Sequence, residues 1–373
     1  MVLAPGTVRD AIHAVMSDAH PTPLGLDEIQ SRVERTLGRP VPRSSVRSGL
    51  QLKTPHEYCR ADRGTYTLAG GTAMSADRAN AQMSPPFKYG RATLHHADSF
   101  EWLAERPDRS IHGVVTDPPY GLIEYQPSQL EKLRAGRGGV WRIPPSFDGH
   151  PRSPVPRFSV LGDGEIADLE RFFRAFGKAL YPKLVPGAQV LVASNPLLSH
   201  RVAYALDNAG LERRGEVIRL VQTMRGGDRP KNAHVEFAEV SVMPRSQWEP
   251  WLLFRKPLQG TVAANLARWG TGGLRRISDD LPFGDVIASN PTRPAEKRLA
   301  PHPSLKPQAF MRQVVRAVLP LGEGLVLDPF AGSGSTLAAA EAVGYESVGV
   351  EINHDYFSLA ATAIPALARF EVA

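Results

Sequence analysis

Apolar residues recur along this chain with two different periods, and the change of period divides it into parts. In the first 69 residues the spacing is helical. Val8, Ala11, Ile12 and Val15 share one face and predict a helix over Thr7–Met16. Ile29, Val33 and Leu37 predict a second over Leu26–Leu37, with Asp27 placed to cap it. A third is expected over Ser44–Lys53, after Pro40 and Pro42 close the preceding loop. Tyr58–Arg60 and Thr65–Leu68, joined through Ala-Asp-Arg-Gly, predict a β-hairpin. Three helices followed by a hairpin is the order of a winged helix-turn-helix, whose third helix enters the DNA major groove. Here that helix would present Arg43, Ser45, Arg47 and Lys53. Small three-helix domains that contact other proteins share the pattern.

Residues 70–88 are small, polar and Pro-containing, and predict a linker. From Tyr89 onward short apolar runs alternate with helical periods. Strands are expected at Ala92–His95, His112–Thr116, Gln189–Ala193, Glu216–Gln222, Leu325–Leu327 and Ser347–Val350. Helices are expected at Ser99–Arg106 (capped by Ser99), Ile166–Leu184, Leu198–Ala209 and Ser335–Val343. This alternation predicts an α/β fold: a doubly wound, mostly parallel, Rossmann-like sheet over residues 89–373. Two stretches interrupt it. Residues 124–164 are rich in Pro, Gly and Arg, without periodicity. Residues 225–300 suggest a hairpin of Phe237–Met243 with Trp251–Phe254 and then irregular sequence.

Composition narrows the class. A chain of 373 residues with 42% hydrophobic and 22% charged residues can bury a large core and form two domains. Its single cysteine, Cys59, excludes an intramolecular disulfide framework and any Cys-cluster zinc site, so no metal site is expected. No apolar run reaches the roughly 18 residues of a membrane helix. The first ten residues lack the basic flank and apolar stretch of a signal peptide. A reducing cytosol is the expected compartment, with no membrane partner. The net charge of +6 permits a polyanionic partner without demanding one.

Two motifs carry chemistry. Residues 324–351 read as a strand ending in Asp328, a loop with Gly332 and Gly334, a helix, and a second strand ending in Glu351. Glycines admit close approach of a ligand to the backbone, and the helix start offers unpaired N–H groups. An acid at the end of the second strand can accept the hydroxyls of a ribose. No Gly-Lys-Ser/Thr follows, so this is not a phosphate-cradling P-loop. The second motif is Val114–Gly121. An apolar strand delivers Asp117 to its carboxyl end, and Pro118, Pro119 and Tyr120 follow. The prolines stiffen the turn and leave carbonyls free to accept. A carboxylate, oriented carbonyls and one aromatic plate suit the exocyclic amino group of a planar base.

Together these elements resemble the amino DNA methyltransferases, which methylate adenine N6 or cytosine N4 from S-adenosylmethionine. Asp117-Pro118-Pro119-Tyr120 matches their D/N/S-P-P-Y/F motif, and Phe330-Ala331-Gly332-Ser333-Gly334 their F-x-G-x-G motif. The catalytic motif comes first, as in the beta class. His302-Pro303-Ser304-Leu305-Lys306-Pro307 resembles the class's H-P-x-x-K-P element, and Ala97-Asp98-Ser99 its acidic turn. The resemblance covers about residues 89–362 and leaves the first 69 as an addition.

The resemblance implies roles. Asp328, Phe330, Gly332 and Gly334 would line the methionine end of S-adenosylmethionine. Glu351 would bind its ribose and Ile352 pack on its adenine. Asp98 would accept the adenine amino group, and His302, Ser304 and Lys306 would complete the pocket. In duplex DNA the target base must first be flipped out. Tyr120 would stack on it, while Asp117 and a proline carbonyl hold the amino group for an in-line transfer. Ring-carbon methylation of cytosine needs a cysteine nucleophile, and Cys59 is far in sequence from both motifs. Asp at the first motif position favours adenine over cytosine. Recognition of the DNA sequence is expected within residues 225–300. The stretch 213–300 holds 15 Lys+Arg against 9 Asp+Glu, with Arg225, Arg229, Lys231, Arg275 and Arg276 as candidate contacts. The class also allows a cognate restriction endonuclease and a homodimer as partners, and DNA would tie the protein to the nucleoid. A methyltransferase acting on RNA or on protein glutamine, and a winged-helix regulator with a degenerate transferase body, are the competing readings.

Overall fold

The computed structural model describes residues 7–19, 22–43, 46–47, 50, 58–62, 65–68, 85–119, 146–147, 150–151, 163–221, 229–230, 233–302 and 304–372. The chain divides into two units, Met1–Ser84 and Pro85–Ala373.

In the first unit, helices Thr7–Ala19 and Leu26–Leu37 bracket a short strand, β1 (Leu24–Gly25). Residues 43, 46, 47 and 50 are helical. Strands β2 (Tyr58–Asp62) and β3 (Thr65–Leu68) pair antiparallel, and β1 adds to the other edge of β3. The predicted helical stripes form the core: Ile12, Met16, Ile29, Val33, Val46 and Leu50 are buried. The second helix is capped differently from expectation. Gly25 is its N-cap, and Asp27 lies one residue inside the first turn, where its charge still complements the helix dipole.

The second unit is one nine-stranded sheet with helices on its faces. Its strands are β4 (Phe87–Tyr89), β5 (Ala92–His96), β6 (Ile111–Thr116), β9 (Leu184–Ala193), β10 (Glu212–Leu220), β11 (Trp248–Arg255), β12 (Val286–Ala288), β13 (Leu325–Asp328) and β14 (Glu346–Glu351). A separate two-residue pair, β7 (Ser146–Phe147) and β8 (His150–Pro151), lies outside it. The order across the sheet is β12-β10-β11-β9-β6-β13-β14-β5-β4. The five strands from β9 to β5 are mutually parallel, while β11 and β4 run antiparallel to their neighbours. Every residue of β9 is buried, as a strand covered on both faces requires. Phe173, Phe176, Leu180 and Phe254 fill one face of the sheet, and Phe310, Met311, Val314 and Trp251 the other. The expected α/β class and mostly parallel sheet are therefore observed.

Four local expectations change. β4 begins at Phe87, inside the stretch read as linker. The helix read over Ile166–Leu184 spans Asp163–Leu180, because Leu184 already starts β9. Phe237–Met243 forms turns rather than a hairpin with β11. β11 has no free edge to offer, being flanked by β9 and β10. Residues 225–300 are correspondingly less irregular than their composition suggests, since they contain β11, β12 and the helices Val262–Trp269 and Pro294–Leu299.

Candidate active site

In the parallel core, chain direction reverses its lateral progress between β6 and β13, and ligands of open α/β sheets bind beyond the carboxyl ends of the strands at such a switch. The structure has a cavity of about 670 Å³ there. Asp98 reaches it after β5, Asp117 after β6, Ser194 and Asn195 after β9, Pro329 and Phe330 after β13, and Glu351 at the end of β14. Antiparallel β11 contributes its start, Trp248 and Glu249.

At one end the cavity is acidic. Glu351 accepts the Gly332 N–H at 2.8 Å and the Asn353 N–H at 2.7 Å, one on each carboxylate oxygen. Each oxygen keeps a further acceptor direction, so hydroxyl donors can still be accommodated. Burial raises the Glu351 carboxyl above its ordinary value despite these hydrogen bonds. Asp98, not Ser99, caps the helix Ser99–Ala104, accepting from Phe100 N at 2.8 Å and Glu101 N at 3.2 Å. Ser99 instead donates to the Pro329 carbonyl. Ile352 is exposed along the cavity rim.

The middle is apolar. Phe330 packs on Phe172 and Phe176, with centroids 5.9 and 5.3 Å away. Gly332 adopts φ +51°, and a Cβ there would come within 3.4 Å of the His302 ring. That ring stands edge-on to Tyr356 at 4.4 Å, and its Nδ1 contacts Ser304 Oγ at 3.1 Å. Burial lowers the His302 pKa. In the wall, Ser194 Oγ is buried and has no hydrogen-bond partner among the described residues.

At the other end Asp117 meets Lys306. The ammonium lies 2.6 Å from Asp117 Oδ2 and 3.1 Å from Glu249 Oε1. Burial would lower the Lys306 pKa, but Asp117 and Glu249 outweigh it and hold the ammonium above its ordinary value. Pro118 and Pro119 line the cavity beside Asp117.

Of the residues predicted from sequence, Asp98, Asp117, Pro118, Pro119, His302, Ser304, Lys306, Phe330, Gly332, Glu351 and Ile352 all line this one cavity. Asp328 and Gly334 do not. Asp328 lies beneath the cavity floor, accepting from Thr116 Oγ1 at 2.7 Å and Phe330 N at 3.1 Å. Burial pushes its carboxyl up to about 6, against the hydrogen bonds from Thr336, Thr116 and Phe330. Gly334 starts the helix Ser335–Ala342 at φ +78°, and a Cβ there would strike Ile364 Cγ1 at 2.5 Å. Its glycine serves helix packing. Lys306 lines the cavity and in addition contacts the Asp117 carboxylate.

The recognition candidates fare differently. Arg275 donates to Tyr345 Oη at 2.7 Å, and Arg276 to the carbonyls of Ser278 and Asp279. Tyr345 immediately precedes β14, so both arginines sit at the amino edge of the parallel strands, opposite the cavity. Both arginines make hydrogen bonds within the fold at that edge. Arg219 and Arg255 of the basic stretch are paired inside the fold with Glu249 and Glu212. Arg229, Arg43 and Arg47 are exposed. Tyr120, Ser45, Lys53, Arg225 and Lys231 lie outside the described residues, as does the side chain of Cys59. Sequence reasoning missed Ser194, Asn195, Trp248, Glu249 and Tyr356. The first four needed the strand order, because only the sheet brings the ends of β9 and β11 to Asp117.

The chain is similar to known proteins. The family model N6_N4_Mtase, described as DNA methylase, matches residues 111–362. The chain is 25% identical over 291 residues to the type II methyltransferase M.HindIII of Haemophilus influenzae, covering 72% of this chain and 93% of that protein. It is 28% identical over 276 residues to M2.DpnII of Streptococcus pneumoniae, covering 74% and 90%. The solved DNA modification methylase TTHA0409 of Thermus thermophilus aligns over 74% of this chain and 95% of its own, at TM-score 0.46 and 21% identity.

Proposed function

This chain belongs to the N6/N4 DNA methylase family, and from that premise we propose that it methylates the exocyclic amino group of a flipped base in duplex DNA, with adenine N6 as the target. The observation that carries the reading is the cavity itself. It joins the acidic end at Glu351 and Asp98, the apolar middle at Phe330, and the carboxylate of Asp117 in a single space.

The methyl donor is S-adenosylmethionine, and the residues fit it. A cavity of about 670 Å³ is of the size that holds such a ligand. Glu351 has acceptor capacity for ribose hydroxyls, Gly332 leaves open the volume a Cβ would fill, and the Ser194 hydroxyl has no partner among the described residues. When bound, S-adenosylmethionine supplies an electrophilic methyl on a sulfonium. The protein's share is placement. Asp117 and a carbonyl of Pro118 or Pro119 accept the hydrogens of the base amino group and direct its lone pair. Lys306 donates to one oxygen of the Asp117 carboxylate. Tyr120 stacks on the base. Holding both reactants in line is the main source of rate for a transfer that uses no enzyme nucleophile. The described lining residues include no cysteine.

Asp at the first motif position favours adenine; cytosine N4 is the alternative. The first unit acts as a winged helix-turn-helix on the same DNA: it has the helix order, the sheet order β1-β3-β2, and exposed Arg43 and Arg47. Arg43 lies 2.6 Å from Asp27 on the surface, a pair that phosphate can replace. Tritiated methyl transfer from S-adenosylmethionine to unmethylated duplex DNA, RNA and protein tests the assignment. Label in DNA alone is expected, and label in RNA or protein alone would overturn it.

A further inference from the structure

Arg219 and Glu249 belong to none of the motifs, yet they extend the Asp117–Lys306 contact into the sheet. Arg219 of β10 and Glu249 of β11 face each other in register, with Nη1 2.7 Å from Oε2. Arg219 is anchored on every side. Its Nε donates to Ser289 Oγ at 3.0 Å, its Nη2 to the Asn290 carbonyl at 3.0 Å, and its guanidinium lies over the Phe310 ring. Only 6% of its side chain is exposed. Glu249 then presents Oε1 to Lys306, whose ammonium reaches Asp117. The result is a row of alternating charge, Arg219–Glu249–Lys306–Asp117, running from an immobile sheet pair to the catalytic carboxylate.

A lysine ammonium ends a flexible four-carbon stem, so a single contact fixes neither its position nor that of its partner. Two carboxylates from different strands do. We infer that Glu249 is a positioning residue for methyl transfer: clamped by Arg219, it holds Lys306 where that ammonium orients Asp117 against the base amino group. This rests on the reading of the cavity given above. The groups facing Lys306 are Asp117, Glu249, Arg219 and, more weakly, His302. Burial would raise the Glu249 carboxyl, but Lys306 and Arg219 outweigh it and keep it below its ordinary value. Removing the charge of Glu249 leaves Lys306 with one carboxylate and the unbalanced Arg219. Lys306 then loses its proton at lower pH, and Asp117 loses its orientation with it.

The test uses the full chain, S-adenosylmethionine and unmethylated genomic DNA. Glu249→Gln is expected to lower kcat by up to about 10²-fold, the cost of slight misplacement at a reacting centre. Its KM for S-adenosylmethionine should stay within about threefold, since the lost contact orients the reacting end rather than binding the cofactor. The alkaline limb of its kcat profile should move to lower pH. Glu249→Asp, which keeps the charge, should place that limb between the two. In a Lys306→Met background, Glu249→Gln should cost little more, because its effect passes through Lys306. Wild-type kcat and an unmoved limb in Glu249→Gln would overturn the inference, as would losses that multiply in the double variant. If Glu249→Gln does not fold, Glu249→Asp decides: an unchanged kcat and limb overturns it. A wild-type chain that transfers no methyl to DNA overturns the parent reading and this inference together.

Discussion

Asp117 and Asp328 stand at the ends of neighbouring parallel strands, β6 and β13, and both come from motifs of the same family. They are used in opposite ways. Asp117 emerges into the cavity and meets an ammonium at 2.6 Å. Asp328 turns under the floor, is 3% exposed, and braces Thr116 and Phe330 by hydrogen bonds. Its bond from Thr116 ties it to the residue just before Asp117, so the buried carboxylate helps set where Asp117 begins. Position at a strand end places a carboxylate near the chemistry. What it meets there decides whether it acts on a substrate or holds the loop that does.

The sharpest way to break this contrast is to remove each acid in turn. Asp117→Ala should lower methyl transfer at least about 10³-fold, the scale expected when an interaction made at the reacting atoms is lost. Cofactor affinity, read by calorimetry, should persist; undiminished turnover would refute the role. Asp328→Asn should act on stability instead, with a defined sign. The native carboxyl binds its proton near 6 rather than 3.8. Between those values the folded state holds more protons than the unfolded one, so this group's contribution is full at low pH and fades as pH rises to 6. Its full size is about 3 kcal/mol. Urea unfolding at pH 4, 5, 6 and 7 should show this slope in the wild type and a flatter one in Asp328→Asn. Equal slopes would mean Asp328 is not the proton-binding brace described.

The two loop glycines extend the same division. Gly334→Ala meets Ile364 at 2.5 Å with a positive φ, and should destabilise the fold by about 1–3 kcal/mol. Gly332→Ala, also at positive φ, meets the edge of the His302 ring at 3.4 Å rather than a packed aliphatic side chain. It should weaken S-adenosylmethionine binding more than stability, as thermal melts with and without cofactor would show. The smallest effect is expected at the opposite edge of the sheet. Arg276→Ala should leave the KM for DNA within about twofold, the range of a surface substitution away from a site. A larger change, or a reduced salt dependence, would restore that edge as a DNA contact.

The fold was legible where period and burial agree. Buried β6, β9, β13 and β14 announce themselves as apolar runs, and the Phe172, Phe173, Phe176 and Leu180 stripe marks its helix. Eleven of the motif residues converge on the cavity: eight end a strand or follow one, and His302, Ser304 and Lys306 lie in the loop between the helices Pro294–Leu299 and Gln308–Val318. The sequence misled where a residue's surroundings come from distant strands. Glu249 and Trp248 reach Asp117 only because β11 runs antiparallel beside β9. Arg275 looks like a phosphate contact until Tyr345 is placed beside it. Val240 and Val242 alternate like a strand, but no edge of β11 is left to receive one. A motif records that a glycine or acid is required, and leaves open whether Gly334 or Asp328 faces ligand or neighbouring helix.

The central claim is that Asp117 directs methyl transfer to the amino group of a base in DNA. Digesting DNA methylated by the purified chain to nucleosides, and identifying the product by mass spectrometry, tests it most directly. N6-methyldeoxyadenosine is expected, absent when Asp117→Ala replaces the wild type. N4-methyldeoxycytidine would move the target base within the same site, and 5-methyldeoxycytidine, or an unaffected Asp117→Ala enzyme, would rule out this role for Asp117.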